Sequence, residues 1–171
     1  MSKIRFTEPN REILARRDSI INDLTRLVDP AGLITSTDEC RAYETDALTA
    51  YRKMPLAVVL PKTTEEVSAV LKYCHDTGVK VVPRGAGTSL AGGAIPSEDA
   101  VVLGLSKMNR VLAVNYDDRF IRVEAGVTNL SVTAVVAENG FFYAPDPSSQ
   151  LACTIGGNIA NNSGGAHCLK Y

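Results

Sequence analysis

The chain has 171 residues, of which 45% are apolar and 22% are charged, and its formal net charge is −1. A chain of this length and composition can bury a hydrophobic core as one domain or two small ones. Because it has no basic run, it lacks the electrostatic surface that nucleic-acid or membrane-surface binding requires.

The N-terminal residues indicate where the protein is located, and the cysteine spacing indicates whether it contains disulfides or a zinc site. The first residues carry charges where a secretory signal needs an apolar core, and no apolar run approaches the roughly 18 residues of a membrane span. The 4 cysteines form no Cys-x-x-Cys pair, so neither a disulfide framework nor a zinc site is supported. We expect a cytoplasmic protein without direct membrane insertion, which associates with a membrane only through partner subunits.

The first predicted element is an amphipathic helix between Asn10 and Asp29. Pro9 and Asn10 precede it, and Pro30 ends it. Its apolar residues follow near-helical spacing. They are Ile13, Ile20, Leu24 and Leu27.

A short helix and a connector follow. Ser36, with Glu39 three residues later, has the pattern of a capping box, which predicts a brief helix over residues 40–43. The connector over residues 44–54 is harder to interpret, because its neighbourhood contains groups suited to docking a ligand. These are Tyr43, Asp46 and Tyr51. A polar connector that covers an edge of the core is the favoured interpretation.

Residues 56–83 have the pattern of a β-α-β unit. The apolar run 56–60 predicts a strand, and Thr63 predicts a helix N-cap. Gly78 ends the helix, and residues 79–83 form a second strand, which should run parallel to the first with a right-handed crossover. The predicted inward face of the helix consists of Val67, Val70, Leu71 and Cys74.

The second strand ends in a first glycine window, residues 83–93, which reads Pro-Arg-Gly-Ala-Gly-Thr-Ser-Leu-Ala-Gly-Gly. Such a loop at the carboxyl end of a strand turns its backbone N–H groups toward an anion. A triphosphate loop is disfavoured, because Gly93 and Ala94 stand where Lys and Ser/Thr are needed. A Rossmann fingerprint is also disfavoured, because Leu90 takes the place of its third glycine. The pattern therefore favours a pyrophosphate held mainly by backbone amides.

Three more strands are predicted downstream, over residues 101–105, 111–114 and 120–125. In the last one, apolar and polar residues alternate, as in a half-buried strand. The predicted inward residues are Ile121, Val123 and Ala125, and the predicted outward residues are Arg122 and Glu124.

A helix over residues 128–139 should follow, ended by Gly140. Its predicted inward residues are Leu130, Ala134, Val135 and Ala137. A short strand over residues 141–143 then leads into the turn Pro145-Asp-Pro, in which Asp146 is expected to serve the turn.

A second glycine window, residues 155–165, reads Ile-Gly-Gly-Asn-Ile-Ala-Asn-Asn-Ser-Gly-Gly. The two windows together hold most of the 13 glycines, so the glycine is concentrated at two places. Two such loops can close on one ligand from both sides. The chain stops at Tyr171 soon after a motif that opens a new subdomain, which favours a fragment of a longer protein.

These motifs, in this order and spacing, resemble the FAD-binding (PCMH-type) domain of the vanillyl-alcohol oxidase flavoprotein superfamily. They are Arg84-Gly-Ala-Gly-Thr-Ser-Leu-Ala-Gly-Gly, Pro145-Asp-Pro-Ser and Thr154-Ile-Gly-Gly-Asn-Ile-Ala-Asn-Asn-Ser-Gly-Gly. Within the superfamily, the sequence is most similar to the D-subunits of bacterial glycolate oxidases and to D-lactate and other D-2-hydroxyacid dehydrogenases. The resemblance implies an α+β (α/β) fold in three parts: an N-terminal helical segment (1–54), a first FAD-binding subdomain (55–148) and the start of a second (149–171).

The resemblance also implies that both windows bind FAD. Residues 84–89 would bind the pyrophosphate through main-chain N–H groups, and the second window would complete the pyrophosphate and adenosine site, with Pro145 and Thr154 near the flavin ring. The implied cofactor-binding residues are Arg84, Gly85, Ala86, Gly87, Thr88, Ser89, Pro145, Thr154, Gly156, Gly157, Asn158, Asn161, Ser163 and Gly164.

Two roles within this set stay open. Arg84 either faces the pyrophosphate or pairs with a carboxylate and orients the loop. Residues 161–163 either cap a helix or contact the ligand directly. His167, close to the second window, is expected to have a structural role.

The mode of FAD attachment also follows from the resemblance. Some members attach flavin through a histidine after the first glycine loop, where this chain has Thr88 and Ser89. Others use a cysteine just before the second window, and Cys153 lies near that place but about one residue out of register. A small buried side chain is the favoured interpretation of Cys153. We therefore expect non-covalent FAD.

The implied function is oxidation of a 2-hydroxy acid, glycolate or D-lactate, by hydride transfer to FAD. The implied partners are that substrate and the iron-sulfur and second flavin-domain subunits of an oxidase complex. Metal or substrate histidines lie in a later part of the family's sequences, so no catalytic residue and no metal ligand is assigned to this chain. Two alternatives remain, a non-catalytic flavin-binding, nucleotide-binding or assembly module and an NADPH-linked flavin reductase of the cell-wall precursor type.

Overall fold

The computed structural model describes residues 6–170, which are organised around a four-stranded sheet. Its strands are β1 (Leu33–Ile34), β2 (Ala57–Val59), β3 (Lys80–Arg84) and β4 (Ala100–Gly104). The spatial order is β1-β2-β4-β3, with β1 antiparallel to β2 and the other pairs parallel. A separate antiparallel hairpin consists of β5 (Val111–Asn115) and β6 (Phe120–Val123). The predicted α+β class is confirmed.

Short helices connect and cover these strands. The α-helices are α1 (Arg11–Ala15), α2 (Arg17–Leu24), α3 (Thr37–Cys40), α4 (Thr64–Thr77), α5 (Asn129–Val136) and α6 (Ile155–Ala160). The 3-10 helices cover Pro30–Gly32, Arg41–Tyr43, Ala137–Asn139 and Ala166–Leu169. Within residues 6–170, no helix combines the length and the apolar character needed to cross a membrane.

The β2-α4-β3 unit has the predicted connection, but its two strands are not adjacent in the sheet. The Thr63 hydroxyl accepts a hydrogen bond from the Glu66 amide at 3.2 Å, and Gly78 ends the helix at φ 73°. Strand β3 runs parallel to β2 as predicted, but β4 lies between them. The fully buried strand β4 takes the central place because both of its faces are apolar. Strand β3 is therefore an edge strand.

The N-terminal segment packs on the sheet. The predicted single helix is instead two helices, because Arg16 has ψ 9° and interrupts the helical backbone. Asn10 caps α1 by accepting a hydrogen bond from the Glu12 amide. Ile20 and Leu24 are fully buried in the same cluster as the residues of β2 and β4. The division at residues 54 and 148 stays a prediction.

The predicted inward face of helix α5 was wrong. All four apolar residues assigned to that face are exposed: Leu130, Ala134, Val135 and Ala137. The buried stripe consists of Asn129, Val132 and Val136. Asn129 fixes this rotation, because its side-chain amide donates a hydrogen bond to the Pro145 carbonyl at 3.0 Å. Because the buried stripe includes an asparagine, the spacing of apolar residues does not identify it.

The predicted strand over residues 141–143 is not a strand. The Phe141 amide donates a hydrogen bond to the Val136 carbonyl at 3.3 Å, and the Tyr143 amide donates one to the Thr133 hydroxyl at 3.1 Å. The segment therefore follows α5, and these amides bond to the helix rather than to a neighbouring strand.

Two further burial predictions were wrong. Leu71 on α4 is 45% exposed, because the buried stripe runs through Val70 and Cys74. Glu124 is buried, although an outward position was predicted for it. Its carboxylate accepts hydrogen bonds from the Arg110 side chain at 2.7 Å and the Arg110 amide at 2.8 Å, and these bonds hold the pKa of Glu124 below its usual range. A paired carboxylate can be buried where an unpaired one cannot.

Candidate functional site

The first glycine window begins where β3 leaves the sheet. Backbone amides in a loop normally find partners. Here none of the amides of residues 85–89 donates a hydrogen bond to another residue between 6 and 170. Gly87 and Gly92 have φ of 73° and 78°, a conformation that side chains rarely adopt. The window therefore has a fixed turn geometry and a run of free N–H donors.

The Arg84 side chain stabilises the first window. The half-buried guanidinium donates hydrogen bonds to the carbonyls of Thr45 at 2.7 Å and Ala94 at 3.4 Å. It also lies 5.6 Å from the ring centre of Tyr43, within range of a cation–π contact. A Cβ at Gly87 would overlap this guanidinium. Burial lowers the pKa of Arg84, yet a guanidinium stays protonated at neutral pH.

The connector holds the outer part of the window, a function that the sequence interpretation missed. The Gly92 amide donates a hydrogen bond to the Asp46 carboxylate at 2.8 Å, and the Ala47 amide donates one to the Ser89 carbonyl at 3.2 Å. Asp46 is 3% exposed. A buried aspartate in a polar segment has no sequence signature, so the connector interpretation was reasonable but incomplete.

The second glycine window forms helix α6 and offers few free amides. Thr154 caps the helix, because its hydroxyl accepts a hydrogen bond from the Gly157 amide at 3.3 Å. The amides of Ile155 and Gly156 donate hydrogen bonds to Val127 and Ala125 at 2.8 and 2.9 Å. A Cβ at Gly156 would stand 3.0 Å from the Ala125 carbonyl oxygen. The glycines here serve close packing more than a row of donors.

The two windows meet. A Cβ built on Gly85 would stand 2.5 Å from the Thr154 hydroxyl oxygen and 3.7 Å from the Gly157 Cα. Backbone from the first window therefore lies directly against the start of α6. This juxtaposition was expected from the sequence on the grounds that two glycine loops can close on one ligand.

Asn158, on α6, has a side-chain donor without a partner within residues 6–170. The residue is 6% exposed, and its side-chain Nδ2 is buried without a hydrogen-bond partner among the described residues. Its backbone is fully engaged, since the amide bonds to Thr154 and the carbonyl accepts from Ser163, both at 2.8 Å. A buried polar group without a partner calls for an explanation, and a ligand acceptor supplies one.

Pro145 is joined to the residues before α6 by a hydrogen bond from Asn129, which the sequence analysis did not identify as a site residue. Asn129, 1% exposed, donates from its side chain to the Pro145 carbonyl, and its own amide donates to the Cys153 carbonyl at 3.0 Å. Thr128 and Thr154 form an antiparallel bridge next to it. Asn129 therefore ties the Pro-Asp-Pro turn to the residues that precede α6.

The end of the second window is held by contacts within its own part of the chain. Asn161 donates from its side chain to the Gly157 carbonyl at 3.0 Å, so it contributes to the end of α6. Ser163 is exposed, and Gly164 packs closely against Cys168. Among the described residues, no hydrogen bond joins Ser163 or Gly164 to the first window.

The side chains of His167 and Asp146 are in contact next to this segment. His167 Nδ1 lies 2.9 Å from the Asp146 carboxylate, and the His167 amide donates a second hydrogen bond to it. The His167 amide is the main cause that lowers the pKa of Asp146. The pair joins the Pro-Asp-Pro turn to the C-terminal 3-10 helix.

The cysteines are free thiols, and Cys153 is buried at 4% exposure. Within the part of the chain that the structure describes, no group of His, Cys, Asp and Glu side chains has the arrangement of a metal site. Two cavities are lined by residues outside the windows. One of about 100 Å³ is lined by residues of β5, β6 and α5, and one of about 410 Å³ lies beside β3. The candidate site is the junction of the windows at the surface.

This junction fits an anionic, extended cofactor. Free backbone N–H groups, an unpaired buried amide donor and a half-buried arginine suit a diphosphate, and the glycines let the backbone approach it closely.

Comparison with known proteins agrees with this chemistry. A family model described as "FAD binding domain" matches residues 55–171. Glycolate oxidase subunit GlcD of Escherichia coli (strain K12) is 48% identical over 155 residues, which are 91% of this chain and 31% of that protein. D-lactate dehydrogenase of Archaeoglobus fulgidus is 38% identical over 154 residues, which are 90% of this chain and 34% of that protein. The chain thus spans about a third of the length of these curated relatives.

Solved structures agree on the fold. Alkyldihydroxyacetonephosphate synthase matches with a TM-score of 0.82 at 22% identity, covering 98% of this chain and 32% of that protein. p-Cresol methylhydroxylase matches with a TM-score of 0.73 at 21% identity, covering 91% and 30%. Because the family model matches most of the sequence, the chain belongs to the FAD binding domain family, and its cofactor is FAD.

Proposed function

We propose that this chain is the FAD-binding part of a flavin-dependent oxidoreductase that oxidises a 2-hydroxy acid, glycolate or D-lactate. The observation that carries the cofactor site is the contact between Gly85 and Thr154, which brings the free amides of the first window against the start of α6, the helix that contains Asn158. The names of the relatives support the substrate class, since they include a glycolate oxidase subunit, a D-lactate dehydrogenase and a D-2-hydroxyglutarate dehydrogenase.

The proposed binding residues divide by what each can offer. The first window offers backbone donors to the pyrophosphate, and Asn158 offers the side-chain amide that lacks a partner. Thr154 and Pro145 would lie near the flavin ring. Thr154 caps α6, the Pro145 carbonyl accepts a hydrogen bond from Asn129, and Asn161 contributes to the end of α6. The full proposed set is Arg84, Gly85, Ala86, Gly87, Thr88, Ser89, Pro145, Thr154, Gly156, Gly157, Asn158, Asn161, Ser163 and Gly164.

The chain's own contribution is binding and orientation. FAD, when bound, supplies the acceptor for the hydride that leaves the α-carbon of the hydroxy acid. The free amides of residues 85–89 are donors fixed in place before binding, so little reorganisation is needed when the diphosphate arrives. No residue of this chain is assigned as the general base.

The cofactor is proposed to be non-covalent. Thr88 and Ser89 offer no side chain that forms a stable flavin bond, and Cys153 is buried. Acid precipitation of the flavin-loaded chain should therefore release all the yellow colour into the supernatant. Flavin that stays with the precipitate would instead indicate a covalent bond, for which Cys153→Ser is the variant to examine.

The first experiment measures FAD binding. The purified chain is mixed with FAD, passed through a desalting column and examined for protein-bound flavin absorption. We expect bound FAD and much weaker retention of riboflavin, which lacks the diphosphate. Equal retention of both, or of neither, would contradict a site built around the pyrophosphate.

The second experiment tests the reaction. A chimera in which this chain replaces the matching part of Escherichia coli GlcD should reduce a dye acceptor when glycolate or D-lactate is added. Oxidation of NADPH by the same chimera would favour the flavin reductase alternative. Flavin binding without either turnover would favour the non-catalytic module.

The proposed partners are other subunits of an oxidase complex, including iron-sulfur and second flavin-domain subunits, and any membrane association would go through them. The name of GlcD as a subunit supports this, and large apolar side chains are available for contacts. Leu151, Ile159 and Phe142 are 82%, 76% and 60% exposed. Co-purification of the chimera with the remaining subunits tests the assembly.

A further inference from the structure

Residues 44–53, here called the bracing loop, form a closed unit next to the first window. The Lys53 amide donates a hydrogen bond to the Glu44 carbonyl at 2.8 Å, which joins the two ends of the loop. Inside it, the Thr45 hydroxyl donates to the Tyr51 carbonyl at 2.8 Å, and Arg52 pairs with the Glu44 carboxylate at 3.0 Å. The loop precedes residues 55–171, which match the family model.

The bracing loop contacts the first window at three points along its length. The Thr45 carbonyl accepts a hydrogen bond from Arg84, the Ala47 amide donates to the Ser89 carbonyl, and the Asp46 carboxylate accepts from the Gly92 amide. None of these contacts uses an amide of residues 85–89. The loop therefore restrains the window on both sides of its free donors and leaves the donors available.

Asp46 is the side chain on which this arrangement depends. Both of its carboxylate oxygens accept backbone amides, Oδ2 from Gly92 at 2.8 Å and Oδ1 from Leu48 at 3.1 Å. One bond fixes the window and the other fixes the bracing loop, so one buried carboxylate joins the two segments. An asparagine at this position has only one acceptor oxygen and would present an NH₂ group to one of the two amides.

We propose that Asp46 is a positioning residue for the cofactor: it holds the first window in the conformation that binds the pyrophosphate. This inference rests on the proposed FAD site and adds a residue that lies outside the matched domain. A loop that is already ordered loses less entropy on binding, so the affinity rises with the fraction of molecules in the competent conformation.

Charge alone predicts the opposite effect, which makes the inference testable. The Asp46 carboxylate and the FAD diphosphate are both negative, so removal of the Asp46 charge would strengthen binding if electrostatics dominated. Positioning predicts that Asp46→Asn weakens binding, because the window loses its restraint. The control is Asp38→Asn, which removes one negative charge from an exposed position on α3 and changes no contact of the bracing loop or the window.

The experiment measures two quantities on the purified chain. Hydrogen exchange of the peptide covering residues 85–95 reports the order of the window without FAD, and fluorescence titration gives the FAD dissociation constant. For Asp46→Asn we expect faster exchange in that peptide and a dissociation constant raised about tenfold or more, as for a competent fraction reduced to about a tenth. For Asp38→Asn we expect neither change.

The outcomes separate this inference from the proposed function. If the wild-type chain fails to bind FAD while Asp46→Asn still speeds exchange, the FAD site is wrong and the restraint by Asp46 stands. If the wild type binds FAD and Asp46→Asn binds it equally well or more tightly, the positioning role is wrong. Asp46→Glu, which keeps the charge but displaces the carboxylate by a methylene, should also weaken binding and covers the case in which the asparagine variant does not fold.

Discussion

Gly85 and Thr154 lie so close together that a side chain at residue 85 has no room: its Cβ would stand 2.5 Å from the Thr154 hydroxyl oxygen. Thr154 also caps α6 and bridges to Thr128, so it cannot move without loss of those contacts. This pair joins the loop after β3 to the helix of the second window. The candidate site exists only while this contact is kept.

Replacement of Gly85 by alanine should therefore disturb both windows. We expect a loss of about 1–3 kcal/mol in the free energy of unfolding, typical of overpacking, and weaker FAD binding. The matched control is Gly93→Ala in the same window, where a Cβ would meet nothing within 4 Å. Urea denaturation of the two variants checks the difference, and equal stability would mean that the contact is not close.

Asn158→Ala should separate ligand binding from stability. In the flavin-free chain the substitution removes a buried donor without a partner, so the stability should change by less than about 1 kcal/mol. FAD binding should weaken about tenfold or more, because a hydrogen bond to a charged phosphate is worth about 1.5–3 kcal/mol. Asn139→Ala, at an exposed asparagine bonded to Tyr116, is the control in the same titration. An unchanged FAD affinity would mean that Nδ2 does not contact the cofactor.

The sequence predicted the parts of this fold that depend on local chemistry. The cap at Thr63 and the left-handed Gly78 gave the limits of α4, and the glycines marked both windows. Their side-chain requirements are local, so a single sequence carries them.

The predictions that failed concern polar residues whose burial depends on partners far away in the sequence. Asp46, Asn129 and Glu124 are buried because each is hydrogen bonded to a residue at least 14 positions away. An apolar pattern treats each of them as exposed. The rotation of α5 and the role of the bracing loop were missed for this reason.

The rotation of α5 gives a direct test within one helix. Val132 is 2% exposed and Val135 is 43% exposed, although the sequence pattern placed Val135 in the core. Val132→Ala should destabilise the chain by about 2 kcal/mol through lost packing. Val135→Ala should change the stability by less than about 0.5 kcal/mol, since alanine also favours helix. Thermal or urea unfolding of both variants measures the two losses of stability. A larger loss for Val135→Ala than for Val132→Ala would support the inward face predicted from the sequence.

Acid stability should depend on Asp99, which is fully buried beside β3. Burial raises its pKa, but hydrogen bonds from Lys80, Ser97 and the Asn10 amide lower it to about 2, below its usual value near 4. A lowered pKa in the folded state means that this stabilisation is present above about pH 4 and is lost as the pH falls toward 2. Between about pH 5 and pH 2, the wild type should lose about 2 kcal/mol more than Asp99→Asn, whose amide does not titrate. Urea unfolding across this range measures the difference, and parallel pH profiles would contradict it.

Arg84 offers a test of how the first window recognises a diphosphate. Its guanidinium bonds to two carbonyls and contacts the Tyr43 ring, which are uses of planar geometry rather than of charge alone. Lysine keeps the charge but loses the planar group, and methionine keeps similar length but loses the charge. If the arginine acts through loop shape, Arg84→Lys and Arg84→Met should weaken FAD binding to a similar extent, by about tenfold or more.

The salt dependence of FAD binding completes the comparison. A cation that faces the diphosphate gives an affinity that falls with added salt, and Arg84→Lys would keep most of that affinity. If Arg84 shapes the loop, the wild type and both variants should share one salt dependence, because the donors that meet the diphosphate are neutral amides. Retention of near wild-type affinity by Arg84→Lys at low salt would show that the charge itself binds the cofactor.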